Sequence, residues 1–302
     1  MQNLLVFLLS FLTSAAAFSQ PADQKTTAPT AQENSLLWKI SGKGMSTSSY
    51  LFGTIHLIDK DDFFLSDSAR AFINRSKLVT FEINMDDMTD LGSQFALLGK
   101  AMMHGDTTLS DLLTKEEYKL VQDHFEKMGL PLFFFERMKP MFLSVFASGD
   151  MSPDAMSSGE MVSYEMEILD LAKKQKSSIG GLETAEFQMS VFDSIPYRAQ
   201  AQMLVQTIQA GDTGDEEFDK MVELYKNQDI QGMMQMMGGD EQGIAKYEDL
   251  LLTTRNKNWI PVMGEMMKKQ PTFFAVGAGH LGGENGVVSL LRKEGYTVVP
   301  VK

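Results

Sequence analysis

The sequence predicts an α/β protein whose mixed sheet is built from N- and C-terminal strands, with a large helical insertion in the middle. Two observations support this fold class. Short apolar runs of the kind found in strands lie near both ends of the folded region, and helical periodicity dominates residues 88–258. A chain of 302 residues is long enough to bury a sizeable core in one such domain.

The N-terminus predicts an exported protein. Residues 1–19 have an apolar centre followed by small residues, which is typical of a secretory signal peptide. Residues 20–34 are polar and aperiodic and predict a flexible linker, so the domain is expected to cover residues 35–302. No other stretch approaches ~18 uninterrupted apolar residues. We therefore expect a periplasmic or secreted protein with no integral membrane segment after signal cleavage.

The first half of the folded region alternates strands with one helix. Strands are predicted over residues 36–40 and 49–54, because these runs are apolar and a glycine-rich turn, SGKGMST, joins them. Residues 66–76 have helical apolar spacing, and a further strand is predicted over residues 77–83.

Helical patterns then take over until the C-terminal strands. Thr114 begins a helix with acidic residues in its first turn, and Gly129 follows its end at Met128. The remaining predicted elements are a helix over residues 159–174, a brief strand over 177–182, a strand over 272–276, a helix over 286–293 and a strand over 296–301.

Composition excludes several kinds of site. The chain has no cysteine, so thiolate nucleophiles, thiolate metal ligands and disulfides are absent. Its formal net charge of −13 argues against nucleic acid as a partner and against binding to an anionic membrane surface.

A glycine-rich loop, AVGAGHLGGENG over residues 275–286, contains the G-x-G-x-x-G spacing of a dinucleotide-binding turn. Such a site also needs an acidic side chain at the end of the next strand, about 20 residues on, to bind the ribose. The chain ends there with TVVPVK, which has no carboxylate. The dinucleotide interpretation therefore fails.

The same loop holds one of two histidines with the spacing G-x-x-H. His56 ends Gly53-Thr54-Ile55-His56, His280 ends Gly277-Ala278-Gly279-His280, and both follow predicted strands. A glycine at a strand end allows a sharp turn through conformations closed to other residues. Both imidazoles would then project over the carboxyl edge of the sheet, where α/β proteins place their sites. They form half of a metal site, which carboxylates must complete in a chain without thiolates.

Three glutamates are candidates for that role. Glu82 lies near the end of the strand predicted at residues 77–83, where it is either an exposed-face residue or a site residue. Glu165 falls within a helical stripe and would need a cation or metal as partner if that stripe is buried; the alternative is that the edge of the stripe is wet. Glu183 follows two glycines at the end of the inner strand. Arg255 is either an anion clamp or a surface arginine. The stripe around Glu165 is formed by Met161, Val162, Ile168, Leu169 and Ala172.

These segments, in this order, resemble the TraB/GumN family, which also contains the animal Tiki metalloproteases. The resemblance spans residues 36–302 and implies a metal-dependent hydrolase, with His56, His280 and Glu82 as the core of its site. Where the family has Gly-x-Asp, this chain reads Ser163-Tyr164-Glu165, so the carboxylate is one methylene longer. The matching segments are Gly53-Thr54-Ile55-His56, Phe81-Glu82-Ile83, Gly181-Leu182-Glu183-Thr184 with Gln188, Arg255-Asn256 with Trp259, Val276-Gly277-Ala278-Gly279-His280-Leu281, and Gly295-Tyr296-Thr297-Val298.

The hypothesis from the sequence is metal-assisted hydrolysis of amide bonds in a peptide or protein substrate. His56, His280, Glu82 and Glu165 are the candidate ligands of a divalent ion, with zinc, manganese and cobalt all compatible. Glu82, Glu183 or Glu165 could act as general base toward an activated water, and Arg255 could stabilise the oxyanion or anchor a substrate carboxylate. The alternative is a non-catalytic protein that uses the same histidines to sequester a peptide or a tetrapyrrole. The sequence does not address the oligomeric state.

Overall fold

The computed structural model describes residues 27–86, 91–147, 159–238 and 247–302. Its architecture confirms the predicted fold class, with a six-stranded mixed sheet in the order β6-β4-β7-β2-β1-β8 and a small sheet of β3 with β5. The strands are β1 (Leu37–Gly42), β2 (Ser49–Thr54), β3 (Ile58–Asp59), β4 (Leu78–Ile83), β5 (Met161–Val162), β6 (Ser178–Glu183), β7 (Thr272–Gly277) and β8 (Tyr296–Pro300).

Helices surround the sheet and fill the middle of the chain. They are α1 (Asp67–Arg75), α2 (Leu91–Ala101), α3 (Leu109–Leu112), α4 (Lys115–Lys127), α5 (Pro140–Ala147), α6 (Tyr164–Lys174), α7 (Ala185–Val191), α8 (Tyr197–Ala210), α9 (Asp212–Lys226), α10 (Ile230–Gly238), α11 (Thr254–Lys269) and α12 (Val287–Lys293). A π-helical turn at Asp249–Thr253 leads into α11.

The direction of the strands decides where a site can form. β6, β4, β7 and β2 are neighbours and run parallel. β1 pairs antiparallel with β2, and β8 pairs antiparallel with β1. The carboxyl ends of four adjacent parallel strands therefore meet at one edge of the sheet.

The described residues form two separate apolar cores. The larger one packs both faces of the sheet and includes buried residues of α9, α10 and α11. The smaller one lies within the helical insertion and joins α3, α4, α5 and α8. Its buried members are Leu109, Val121, Phe125, Leu132, Met138, Leu143, Ala147, Ala201, Leu204 and Val205.

The predicted strands are confirmed to within two residues, but the predicted helix over residues 159–174 is wrong at its start. Met161 and Val162 form β5, which pairs with β3, and the helix begins at Tyr164 after an N-cap at Ser163. This long-range pairing overrides the local helical spacing. Glu165 therefore lies in the first turn of α6 and not inside a buried stripe that begins at Met161.

The described part of the predicted linker contacts the domain. Arg292 donates hydrogen bonds to the Glu33 carboxylate and to the Thr27 carbonyl, and Gln231 donates one to the Pro29 carbonyl. The predicted signal peptide lies outside the described residues. Within the described ranges, every helix is too short or too polar to traverse a bilayer.

Glycine at residue 53 is required for close packing. Neither Gly53 nor Gly277, whose φ is −52°, has a positive φ, so the expectation of a turn closed to other residues is wrong for both. A Cβ at residue 53 would lie 2.6 Å from Leu281 Cδ1 and 3.1 Å from Ala278 Cα. Gly53 thus lets the loop after β7 pack directly on β2.

We expect Gly53→Ala to destabilise the protein by about 1–3 kcal/mol, the usual cost of overpacking a core. Gly99→Ala is the matched control, because Gly99 lies within α2 and a Cβ there has nothing within 4 Å. It should stabilise by about 0.5–1 kcal/mol, since alanine is the better helix former. Urea unfolding measures both, and effects of the same sign would contradict this account of Gly53.

Candidate functional site

Each of the four parallel strands brings one candidate side chain to the shared carboxyl edge. Glu183 is the last residue of β6, and Glu82 is the next-to-last residue of β4. His280 follows the end of β7 by three residues, and His56 follows the end of β2 by two. The edge therefore gathers two imidazoles and two carboxylates from distant parts of the chain.

His280 is buried and held in one tautomer. Its Nδ1 lies 2.6 Å from Asn256 Oδ1. The orientation of that amide is fixed because Asn256 Nδ2 donates to the Asn285 carbonyl over 2.9 Å. Nδ1 therefore carries the hydrogen, and Nε2 has the lone pair. The indole of Trp259 packs on the ring with a centroid separation of 4.4 Å. Burial lowers the pKa of His280 to about 4, so the imidazole is neutral at pH 7.

Glu82 is an ionised carboxylate held by donors on both oxygens. Oε1 accepts from the Gly277 backbone N–H over 2.9 Å, and Oε2 accepts from Arg255 over 2.6 Å and from Gln188 over 3.0 Å. Burial acts to raise its pKa. The attraction of His280 and Arg255 and the Gly277 hydrogen bond outweigh burial and lower the pKa to about 2.

Arg255 is buried, so the surface interpretation is wrong, and its donors are directed to the protein itself. Nε and Nη2 donate to Glu183 Oε1 over 2.9 and 2.7 Å. Nη1 donates to the Leu251 carbonyl over 3.1 Å and lies 3.3 Å from His280 Nε2. Glu183 is held on its other oxygen by Trp259 Nε1 over 2.8 Å. This arrangement makes Arg255 and Glu183 a support for Glu82 and His280.

His56 and Glu165 form the second half of the edge. Glu165 Oε1 lies 3.1 Å from His56 Nδ1 and accepts from Thr54 Oγ1 over 2.7 Å, while Ser163 Oγ donates to Oε2 over 3.2 Å. The hydrogen bond with Glu165 raises the pKa of His56 to about 9. The ring is 77 % exposed, so solvent screens much of that attraction. With Nδ1 facing Glu165, Nε2 is the ring nitrogen left for another partner.

The two halves are within electrostatic reach of each other. Glu82 contributes to the raised pKa of His56, and His56 contributes to the lowered pKa of His280. In the described ranges, however, no three histidine or acidic side chains converge closely enough to hold a metal ion as they stand.

The ligand atoms of the two buried side chains, His280 and Glu82, are of types that bind a divalent ion. The lone pair of His280 Nε2 faces Glu82 Oε1 over 3.6 Å with no hydrogen between them. Arg255 Nη1 lies 3.3 Å from Nε2 and donates a hydrogen bond to its lone pair, so an ion bound by Nε2 would take the place of this hydrogen bond. An imidazole nitrogen and a carboxylate oxygen are the ligands that zinc and its neighbours accept.

Several side chains at the edge had no role assigned from the sequence. Asn256, Trp259 and Gln188 belong to matching segments, but only the structure shows that they fix His280, Glu183 and Glu82. Thr54 belongs to the G-x-x-H motif of His56, and its hydroxyl donates a hydrogen bond to Glu165. The signal that could have indicated Trp259 is its spacing of four from Arg255, which places both on one side of a helix.

The lowered pKa of His280 predicts acid destabilisation of the metal-free protein. Between pH about 6.5 and about 4 the unfolded chain binds a proton at this residue that the folded chain does not, so the free energy of unfolding falls as pH falls. His56 acts oppositely, since its stabilisation is present below pH about 6.5 and is lost as pH rises through about 9.

Urea unfolding between pH about 6.5 and about 5, where ordinary carboxylates stay ionised in both states, isolates the histidine effect. His280→Gln should flatten the slope of the free energy of unfolding against pH in this range. An equal slope in His280→Gln and wild type would contradict the prediction.

Comparison with known proteins identifies a family match and several similar proteins. The TraB/PrgY/gumN family model matches residues 36–300. Metalloprotease TIKI1 of Danio rerio is 25 % identical over 92 % of this chain and 65 % of its own length. Metalloprotease TIKI homolog of Nematostella vectensis is 24 % identical over 98 % of this chain and 74 % of its own length. The chain thus spans somewhat less than two thirds of the TIKI1 relative. No solved structure matches it.

Proposed function

Because this chain belongs to the TraB/PrgY/gumN family, we propose that it is an exported, metal-dependent hydrolase that cleaves amide bonds in a peptide or protein substrate. The observation that carries the proposal is the matched presentation of two imidazoles at one sheet edge. In each ring Nδ1 faces an oxygen, from Glu165 in one case and Asn256 in the other, so Nε2 is directed elsewhere. The relatives are named metalloproteases, which supports the same activity.

His56 Nε2, His280 Nε2 and Glu82 Oε1 would hold the ion, with zinc, manganese or cobalt compatible. A divalent ion bound there supplies Lewis-acid chemistry that lowers the pKa of water and polarises the amide carbonyl. Asn256 and Glu165 orient the imidazoles, which is the usual role of groups behind metal-binding histidines. Glu165 then has this orienting role in place of the ligand role predicted from the sequence.

The three carboxylates have different roles in this proposal. A pKa of about 2 makes Glu82 a weak base, so it serves as a ligand. Both oxygens of Glu183 accept hydrogen bonds from Arg255 and Trp259, so Glu183 positions Arg255. Glu165 Oε2 accepts only from the Ser163 hydroxyl among the described residues, and Glu165 adjoins the exposed His56. Glu165 is therefore the carboxylate placed to accept a proton during attack on the amide.

The low pKa of Glu82 also fits a second function. A binding protein that sequesters a peptide or a tetrapyrrole needs ligands for its guest and no general base. Such a protein would use His56 and His280 in the same way but would turn nothing over.

A peptide library incubated with the purified protein separates these functions. We expect cleavage by protein loaded with zinc, manganese or cobalt, and no cleavage after removal of the metal by a chelator. Glu165→Gln should retain metal in elemental analysis and lose most cleavage, because the amide still accepts a hydrogen bond from His56 but takes up no proton. Metal-loaded wild type that cleaves no peptide, but binds one, would support the binding protein and refute the hydrolase.

A further inference from the structure

A groove away from the candidate site collects positive charge in an acidic protein. It lies between the outer face of α11, the end of α12 and the β1–β8 edge, and its volume is about 510 Å³. Four lysines line it against two glutamates, although the chain as a whole carries a net charge of −13. The lysines are Lys43, Lys257, Lys268 and Lys293.

The lysines of this groove are weakly committed to other partners. Lys43 pairs with Glu294 over 2.9 Å and lies 4.9 Å from the centre of the Tyr296 ring, and Lys268 pairs with Glu265 over 2.6 Å. Lys293 donates to the Glu284 carbonyl over 2.8 Å. The side chains of these three lysines are between 42 % and 60 % exposed. Exposed pairs of this kind contribute little to stability, so the ammonium groups can turn to another anion. Lys257 has no ion-pair partner among the residues that the structure describes.

The floor of the groove is largely apolar and carries one phenolic hydroxyl. Ile260, Pro261 and Leu290 line it together with Tyr296. Tyr296 is only 7 % exposed, and its hydroxyl makes no hydrogen bond to another described residue. Gly264 makes room for that hydroxyl, since a Cβ there would lie 3.1 Å from Tyr296 Oη. A phenolic hydroxyl that lines a groove and donates to no other described residue is available to donate to a ligand.

We infer that this groove binds a small organic anion, a carboxylate or phosphate that carries an apolar group. The apolar group would lie on Ile260, Pro261 and Leu290, the phenol of Tyr296 would donate to the anion, and the lysines would surround it. A volume of this size suits a small-molecule ligand. The inference is independent of the proposed hydrolase activity, because Arg255 and Trp259 lie on the opposite, buried side of α11.

Isothermal titration of the full chain with three probes tests the groove. Benzyl phosphate and phenylacetate carry the two anion types, and benzyl alcohol is their neutral counterpart. We expect at least one anion to bind, with affinity that falls as salt rises, and benzyl alcohol not to bind. Whichever anion binds more tightly identifies the headgroup. Failure of both anions to bind, or equal binding of benzyl alcohol, would overturn the inference.

Single substitutions test whether the anion binds in this groove. Tyr296→Phe removes only the hydroxyl and should weaken the anion about tenfold, as expected for a hydrogen bond to a charged group. Lys257→Gln should weaken it a few-fold. Lys115→Gln, at an exposed lysine of α4, and His280→Gln, at the candidate metal site, should leave the affinity unchanged. Unchanged affinity in Tyr296→Phe, or loss in His280→Gln, would overturn the assignment to this groove.

Discussion

Replacing Arg255 with methionine should destabilise the protein by about 3–5 kcal/mol, the range observed when one partner of a buried ion pair is removed. The guanidinium is the positive partner of Glu82 and Glu183, whose side chains are 14 % and 5 % exposed. Methionine fills similar space and can still pack on Trp259. The decrease in stability therefore reports chiefly on removal of the positive charge. Urea unfolding at neutral pH measures it.

Two further variants make this prediction specific. Lys119→Met breaks an exposed pair with Asp123 and should change stability by well under 1 kcal/mol. Adding Glu183→Gln to Arg255→Met removes one of the unpaired charges and should recover part of the loss. A loss below about 1 kcal/mol for Arg255→Met alone would show that the buried carboxylates do not depend on the guanidinium.

Replacing His280 with glutamine should abolish metal retention and peptide cleavage while the fold persists. Glutamine is close in size and can still bond Asn256, but its amide is a poor ligand for the proposed ion. The decrease in metal affinity and in cleavage should be larger than the decrease of about 10–100-fold that is typical when a residue that orients a metal ligand is replaced. Asn256→Leu should give a decrease within that range, because the ring remains but loses the acceptor that fixes its tautomer.

Elemental analysis and cleavage assays of the same preparations measure both effects. His104→Gln is the matched control, since this exposed histidine lies outside the candidate site and should keep metal and activity. Full metal content and full activity in His280→Gln would remove His280 from the site. Equal effects of His280→Gln and Asn256→Leu on metal retention would contradict the separation of ligand from orienting group.

Much of the site could be predicted because it depends on strand direction. The chain places Glu82, His56 and His280 at the ends of short apolar runs, and parallel neighbours bring such ends to a common edge. For Glu165 the helical spacing leaves two alternatives, a cationic partner within a buried stripe or a solvated edge; the residue lies beside His56 in the first turn of α6. The helical spacing through Met161 and Val162 is local, whereas their pairing with Ile58 and Asp59 depends on contacts a hundred residues away.

Roles that depend on side-chain orientation could not be predicted. Asn256 fixes the tautomer of His280 only because the carbonyl of Asn285 fixes the amide of Asn256. From the sequence, Arg255 is either an anion clamp or a surface arginine, and in the structure its N–H groups donate to acceptors within the protein. Spacing along the chain carries no information about which of several possible acceptors a donor will reach.

The separate apolar core of the helical insertion has a consequence for how the protein loses its structure. Because α3, α4, α5 and α8 pack on one another around residues that the sheet core does not share, they can open as a unit of their own. Heating should then produce a transition whose calorimetric enthalpy exceeds the van't Hoff enthalpy, as happens when cooperativity is divided between parts of a chain.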